Sequence, residues 1–87
     1  LMNISSVIVI PRPEQVDQVV ALLGTHDGVE VAAVSPEGKV IVTIESADDR
    51  ETIQIYEAIS LMAGVMSASM VYHQREDQPE AEVLVEA

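Results

Sequence analysis

The chain has 87 residues, room for one domain that buries about two thirds of the surface its unfolded form exposes, and no room for a second. Hydrophobic residues make up 48%, yet there is no Phe or Trp, so the core has to be built from Val, Ile, Leu, Ala and Met. A net charge of −11 and the scarcity of aromatic rings argue against nucleic-acid binding, and the absence of Cys excludes disulfides, thiolate catalysis and thiolate metal sites. No apolar run is long enough to cross a bilayer and no signal-peptide order opens the chain, so a soluble cytoplasmic protein is expected; Leu1, ahead of Met2, reads as a remnant of expression.

The first strand is predicted over residues 4–10, rich in β-branched side chains and stopped by Pro11 and Pro13, which have no amide to give a sheet. Pro13 suits the first position of the helix that follows. Val16, Val19, Val20 and Leu23 recur at the i, i+3, i+4, i+7 spacing of one buried helical face, and Gly24 is the expected terminator. A second strand alternates Val29, Val31 and Ala33 against Glu30, Ala32 and Val34. A third alternates Val40, Val42 and Ile44 against Lys39, Ile41, Thr43 and Glu45. Between them Pro36 and Gly38 occupy the positions a type I turn favours, so the two strands form a hairpin.

Ser46 is the expected cap of a second helix, with Asp48 and Asp49 complementing its dipole. These acids, with Glu51, need no bound cation to explain them. The helix is predicted to run to about Met62, burying Thr52, Ile55, Tyr56, Ile59 and Met62, with Gly64 as its terminator. A fourth strand over 65–73 places Met66, Ala68, Met70 and Tyr72 on one face, as core filling, and Ser67, Ser69, Val71 and His73 on the other. The domain is taken as 1–75. Residues 76–87 carry five acids and form an acidic tail expected to be disordered, because so little apolar area cannot offset the entropy of ordering.

The order βαββαβ is that of the α+β ferredoxin-like split βαβ fold, a four-stranded antiparallel sheet in the order 4-1-3-2 with two helices on one face. The other face is then open. With Val7 and Val9 under the helices, it displays Ser6, Ile8, Ile10, Ala32, Ile41, Thr43, Ser67, Ser69, Val71 and His73, with Glu30, Lys39 and Glu45 around them. Ile8 and Ile41 come from neighbouring central strands and form an apolar patch that a small domain seldom leaves without a partner; a second copy of the chain is one possible occupant. Catalysis is not expected. There is no nucleophile triad and no phosphate loop, and His73, the best single reactive group, has no second ligand at metal spacing.

Ile4-Ser-Ser-Val-Ile-Val9, Gly28-Val-Glu-Val31, Gly38-Lys-Val-Ile-Val42 and Gly64-Val65, with Val71-Tyr-His-Gln74 ahead of an acidic tail, resemble the NapD family over residues 4–76. The resemblance implies a cytoplasmic chaperone, not an enzyme, with no cofactor of its own. Its implied partner is the twin-arginine signal peptide of the catalytic subunit of periplasmic nitrate reductase, held on the open sheet face until the client's cofactors are inserted. The residues expected to bind the peptide are Ser6, Ile8, Ile10, Glu30, Ile41, Thr43, Glu45, Ser67, Ser69, Val71 and His73, with Glu30 or Glu45 pairing with the arginines. The Pro11-Arg-Pro13 stretch departs from the expected polar cap. The alternative is an ACT-like regulatory domain, which shares the element order and would bind an amino acid at the loop spanning Gly24 to Gly28.

Overall fold

The computed structural model describes residues 2–75 together with Val83–Leu84. Its elements are β1 (Asn3–Pro11), a single 3-10 turn (Pro13–Gln15), α1 (Val16–Gly24), β2 (Val29–Val34), β3 (Val40–Ser46), α2 (Asp49–Ser60), β4 (Val65–Arg75) and β5 (Val83–Leu84). The sheet runs β2-β3-β1-β4-β5, each neighbour antiparallel to the next. Its first four strands, with the two helices, have the expected α+β ferredoxin-like arrangement. The two-residue β5 adds to the outer edge of β4, pairing Val83 with His73 and Leu84 with Tyr72. The rest of the expected tail, 76–82 and 85–87, lies outside the described residues.

β1 lies at the centre and sets the two faces. Asn3, Ser5, Val7, Val9 and Pro11 are buried, whereas Ile4, Ser6, Ile8 and Ile10 retain access to solvent. Val7 and Val9 join Val29, Val40, Val42 and Ile44 of the neighbouring strands, Val19 and Leu23 of α1, and Ile55 and Ile59 of α2 in one aliphatic cluster. Both helices therefore cover the same side of the sheet. Near the start of α2 the buried polar groups satisfy one another: the Ser46 hydroxyl pairs with that of Thr52, and Thr52 donates to the Asp48 carbonyl at 3.1 Å. No buried side-chain nitrogen or oxygen among the described residues lacks a partner, as the cost of an unmade buried hydrogen bond requires. Tyr56 adds a cross-link, its hydroxyl donating to the Ala68 carbonyl at 2.7 Å and tying α2 to β4.

Several local expectations are corrected. The proline stretch does not end β1 before Pro11: Pro11 is its last residue, opposite Val65, and Pro13 opens the 3-10 turn, with α1 beginning only at Val16. Asp48, not Ser46, caps α2, its carboxylate accepting from the Glu51 amide at 2.9 Å, while Glu51 reaches back to the Ala47 amide at 2.8 Å. Gly24 is the last residue of α1 rather than its left-handed terminator. Thr25 satisfies the helix end instead, its hydroxyl donating to the Leu22 carbonyl at 2.8 Å. Likewise α2 stops at Ser60, short of Met62 and Gly64. The left-handed backbone appears later, at Gly28 (φ 81°) and Gly64 (φ 89°), each immediately before a strand. Each glycine carbonyl accepts a 2.8 Å bond from its own side of the sheet, from Glu45 N at Gly28 and from Arg12 N at Gly64.

Gly24 at the end of α1 and Gly28 ahead of β2 should therefore respond in opposite ways to alanine. A Cβ at Gly28 meets the Glu45 carbonyl oxygen at 2.7 Å in a conformation that costs an L residue about 1–2 kcal/mol, whereas a Cβ at Gly24 meets nothing within 4 Å. Gly28→Ala should lower Tm by roughly 10 °C, and Gly24→Ala should raise it by about 2–5 °C, on the scale of 4–8 °C per kcal/mol for a domain of this size. Thermal unfolding followed by circular dichroism checks both; equal shifts for the two variants would contradict the placement of the left-handed turn.

Candidate functional site

The register resolves the uncovered face into rows. Ala33, Ile41, Ile8 and Ser69 lie directly opposite one another across four strands, and Ile10 stands opposite Ser67 one row beyond. In the other direction Glu30, Thr43 and Ser6 form the next row and Glu45 stands opposite Ile4 after that. Ile10 and Ile41 are each 37% exposed, and Ile4 and Ile8 are half-buried. The result is a shallow apolar floor of aliphatic side chains edged by small hydroxyls. No described element lies over it.

Its acidic end is more sharply shaped. Gly28, Val29, Glu30, Thr43 and Glu45 line a depression of about 310 Å³, with both carboxylates exposed. Glu45 stands two residues along β3 from the register partner of Glu30, a diagonal pair separated by about 7–8 Å. That spacing allows the two carboxylates to serve one cationic segment, through separate hydrogen-bonded ion pairs with planar guanidinium groups. A larger cleft of about 400 Å³ adjoins it, where His26, Asp27 and Glu51 join Glu45 above Ile55. Among the described residues no three His, Cys, Asp or Glu side chains are grouped to hold a metal ion, and no helix is long and apolar enough to cross a membrane.

Most of the expected surface set is brought together. Ser6, Ile8, Ile10, Glu30, Ile41, Thr43, Ser67 and Ser69 share the open face, and Glu45 borders it. Two regions of β4 depart from simple alternation. The register slips between Ser6 and Val7, leaving Val71 as an extra residue; Tyr72 then pairs with Ser6 and His73 with Ser5. His73 thus leaves the expected surface register. A second slip at Ile10 and Pro11 leaves Met66 unpaired and 63% exposed rather than in the core, while Met62 and Met70 do pack against it. A slip in β2 between Val31 and Ala33 similarly turns Ala33, not Ala32, toward Ile41. The residue missed from sequence is Ile4, whose position in the alternation of Ser6, Ile8 and Ile10 was sufficient to find it.

The NapD protein family profile matches residues 2–77. Chaperone NapD of Escherichia coli (strain K12) is 35% identical over 79 residues, which is 90% of this chain and 91% of that protein. Chaperone NapD of Paracoccus pantotrophus is 37% identical over 83 residues, 95% of this chain and 73% of its own. The solution structure of the E. coli Tat proofreading chaperone protein NapD superposes with a TM-score of 0.78 at 31% identity, covering 99% of this chain and 92% of that one.

The paired carboxylates should carry a small stability cost, since like charges about 7–8 Å apart lie within one Debye length of about 8 Å at physiological salt. The double substitution Glu30→Gln with Glu45→Gln should leave the fold intact and raise Tm by about 1–4 °C at low salt, for a relief of a few tenths of a kcal/mol. The gain should shrink as sodium chloride is added. A double variant that melts lower than the wild type at low salt would show that these acids stabilise the sheet rather than serve a partner.

Proposed function

The chain belongs to the NapD family, whose members are chaperones without catalytic chemistry, and we propose that it binds the twin-arginine leader of the periplasmic nitrate reductase precursor. Holding the leader delays export until the client's molybdenum and iron-sulfur cofactors are in place. The observation that carries this reading is the juxtaposition, on one uncovered sheet face, of an aliphatic floor with paired exposed carboxylates at its end. A twin-arginine leader is a cationic segment followed by an apolar one, and it asks for both.

The magnitudes assign the roles. Removing roughly 200 Å² of apolar surface from water over the isoleucine rows contributes about 5 kcal/mol at ~25 cal/mol per Å². An exposed arginine–carboxylate pair contributes only about 0.2–1 kcal/mol. Burial therefore supplies most of the affinity. The carboxylates, within a surface of net charge −11, speed the encounter and select the basic leader over neutral apolar peptides. The face itself is narrow, about four strands across by a few residues, well below the ~800 Å² per partner of a standard protein interface, which favours a peptide over a second copy of the chain.

Calorimetric titration with a synthetic twin-arginine leader checks this. Ile41→Glu places a charge in the centre of the floor at a position already 37% exposed, so the fold should survive while binding weakens at least tenfold, the equivalent of about 1.4 kcal/mol. Binding to the wild type should weaken with added salt without vanishing. An Ile41→Glu protein that is folded by circular dichroism and binds as tightly as the wild type would overturn the reading, and thermal stabilisation by free amino acids in place of the leader would favour the ACT-like alternative.

A further inference from the structure

The open face is not the same at its two ends, and we infer that it accepts a leader in one direction only: paired arginines over the end of β3 at Glu45, apolar stretch running toward the end of β1 at Ile10. This rests on the sheet-face binding proposed above and adds its polarity. Glu30, Glu45, Asp27 and Glu51 all gather where β3 ends and β2 begins, and three clefts at that corner share the Glu45 side chain. The opposite end is close to neutral, its cations Arg12 and Lys39 standing with Glu14 and Glu37 in the segments that follow β1 and precede β3.

Apolar exposure runs the other way. On the open face Ile10 and Ile41 are each 37% exposed, and Met66 at the start of β4 is 63% exposed, all three nearer the end where β1 finishes; Met2, 40% exposed, lies beside the acidic corner. The face thus has a negative pole and an apolar pole along its strands. A leader has a cationic pole followed by an apolar one along its sequence. Only one alignment puts opposite charges together and like surfaces together; the reverse takes the arginines away from Glu30 and Glu45 and leaves both carboxylates facing hydrocarbon.

The lengths agree. Six residue steps separate Ile4, opposite Glu45, from Ile10, which is about 20 Å of strand at ~3.4 Å per residue. A helix covers that span with about 13 residues at 1.5 Å each. The end of the leader that continues into the client then leaves the chaperone at the Arg12 and Lys39 pole. Met66, exposed there beside Ile10 at the start of β4, is placed to meet the first part of the client beyond its leader.

The test uses the unmodified chaperone and two synthetic leaders, each with paired arginines ahead of an apolar stretch, one carrying a nitroxide label at its amino end and the other at its carboxyl end. Amide signals of the ¹⁵N-labelled chaperone report proximity. The amino-end label should broaden Glu30 and Thr43 through Glu45 most strongly, and the carboxyl-end label should broaden Ile10, Lys39 and Ser67. The reversed pattern, or equal broadening of both poles by each label, would overturn the polarity while leaving the sheet face as the binding site. Broadening confined to α1 and α2 would overturn the sheet-face reading itself.

Discussion

The strict two-residue alternation of β1 is the constraint on which the rest depends. Because Asn3, Ser5, Val7, Val9 and Pro11 are committed to the helix-covered side, Ile4, Ser6, Ile8 and Ile10 have no choice but to face away. β3 repeats the pattern with Val40, Val42, Ile44 and Ser46 inward and Ile41, Thr43 and Glu45 outward. A one-residue slip of either strand would exchange core and surface, so the valines that build the core also hold the exposed isoleucines in place. Core and site are two sides of one register.

Much of this was legible in the sequence because central strands buried on one side must alternate, and α1 and α2 must bury a 3.6-residue stripe. Val19 and Leu23, with Thr52, Ile55 and Ile59, are buried as their spacing required. The illegible part lies where an extra residue enters a strand. Met66, Ala68, Met70 and Tyr72 alternate without fault in the sequence, yet the slips at Met66 and Val71 separate them, exposing Met66 and shifting His73 to the register of Ser5. Nothing in those side chains announces a bulge; it follows from the pairing with β1. Helix ends were misread for a different reason. Thr25 and Asp48 do with side chains what Gly24 and Ser46 were expected to do, and several residues competent to cap stood within reach of one another.

The two halves of the chain solve the helix-to-strand problem in the same way. Three residues after each helix-capping position a glycine takes a left-handed conformation, its carbonyl accepts a strand-side amide, and the next residue begins a strand, at Gly28 before β2 and Gly64 before β4. The requirement is steric as well as conformational. A side chain at Gly28 would strike the Glu45 backbone, and one at Gly64 would come within 2.8 Å of the Gln15 side-chain oxygen. These glycines let the helix-strand connections pass close to the sheet, which keeps both connections on the side that the helices already occupy.

Gly28 also connects fold and site. Its carbonyl holds the Glu45 amide at 2.8 Å, so the turn that starts β2 fixes the backbone from which the Glu45 carboxylate projects, and its bare Cα forms part of the depression between Glu45 and Glu30. A carboxylate on a free loop would lose conformational entropy on meeting a cation; one on a strand clamped from both sides, by Gly28 on β2's approach and by Ile4 across the ladder, has lost much of its backbone freedom already. The repulsion between two neighbouring acids is thus carried by the folded state before any partner arrives. On the proposed reading, cationic groups that enter the depression would relieve it, and that relief would belong to the bound state alone, favouring a basic leader over an equally apolar neutral one.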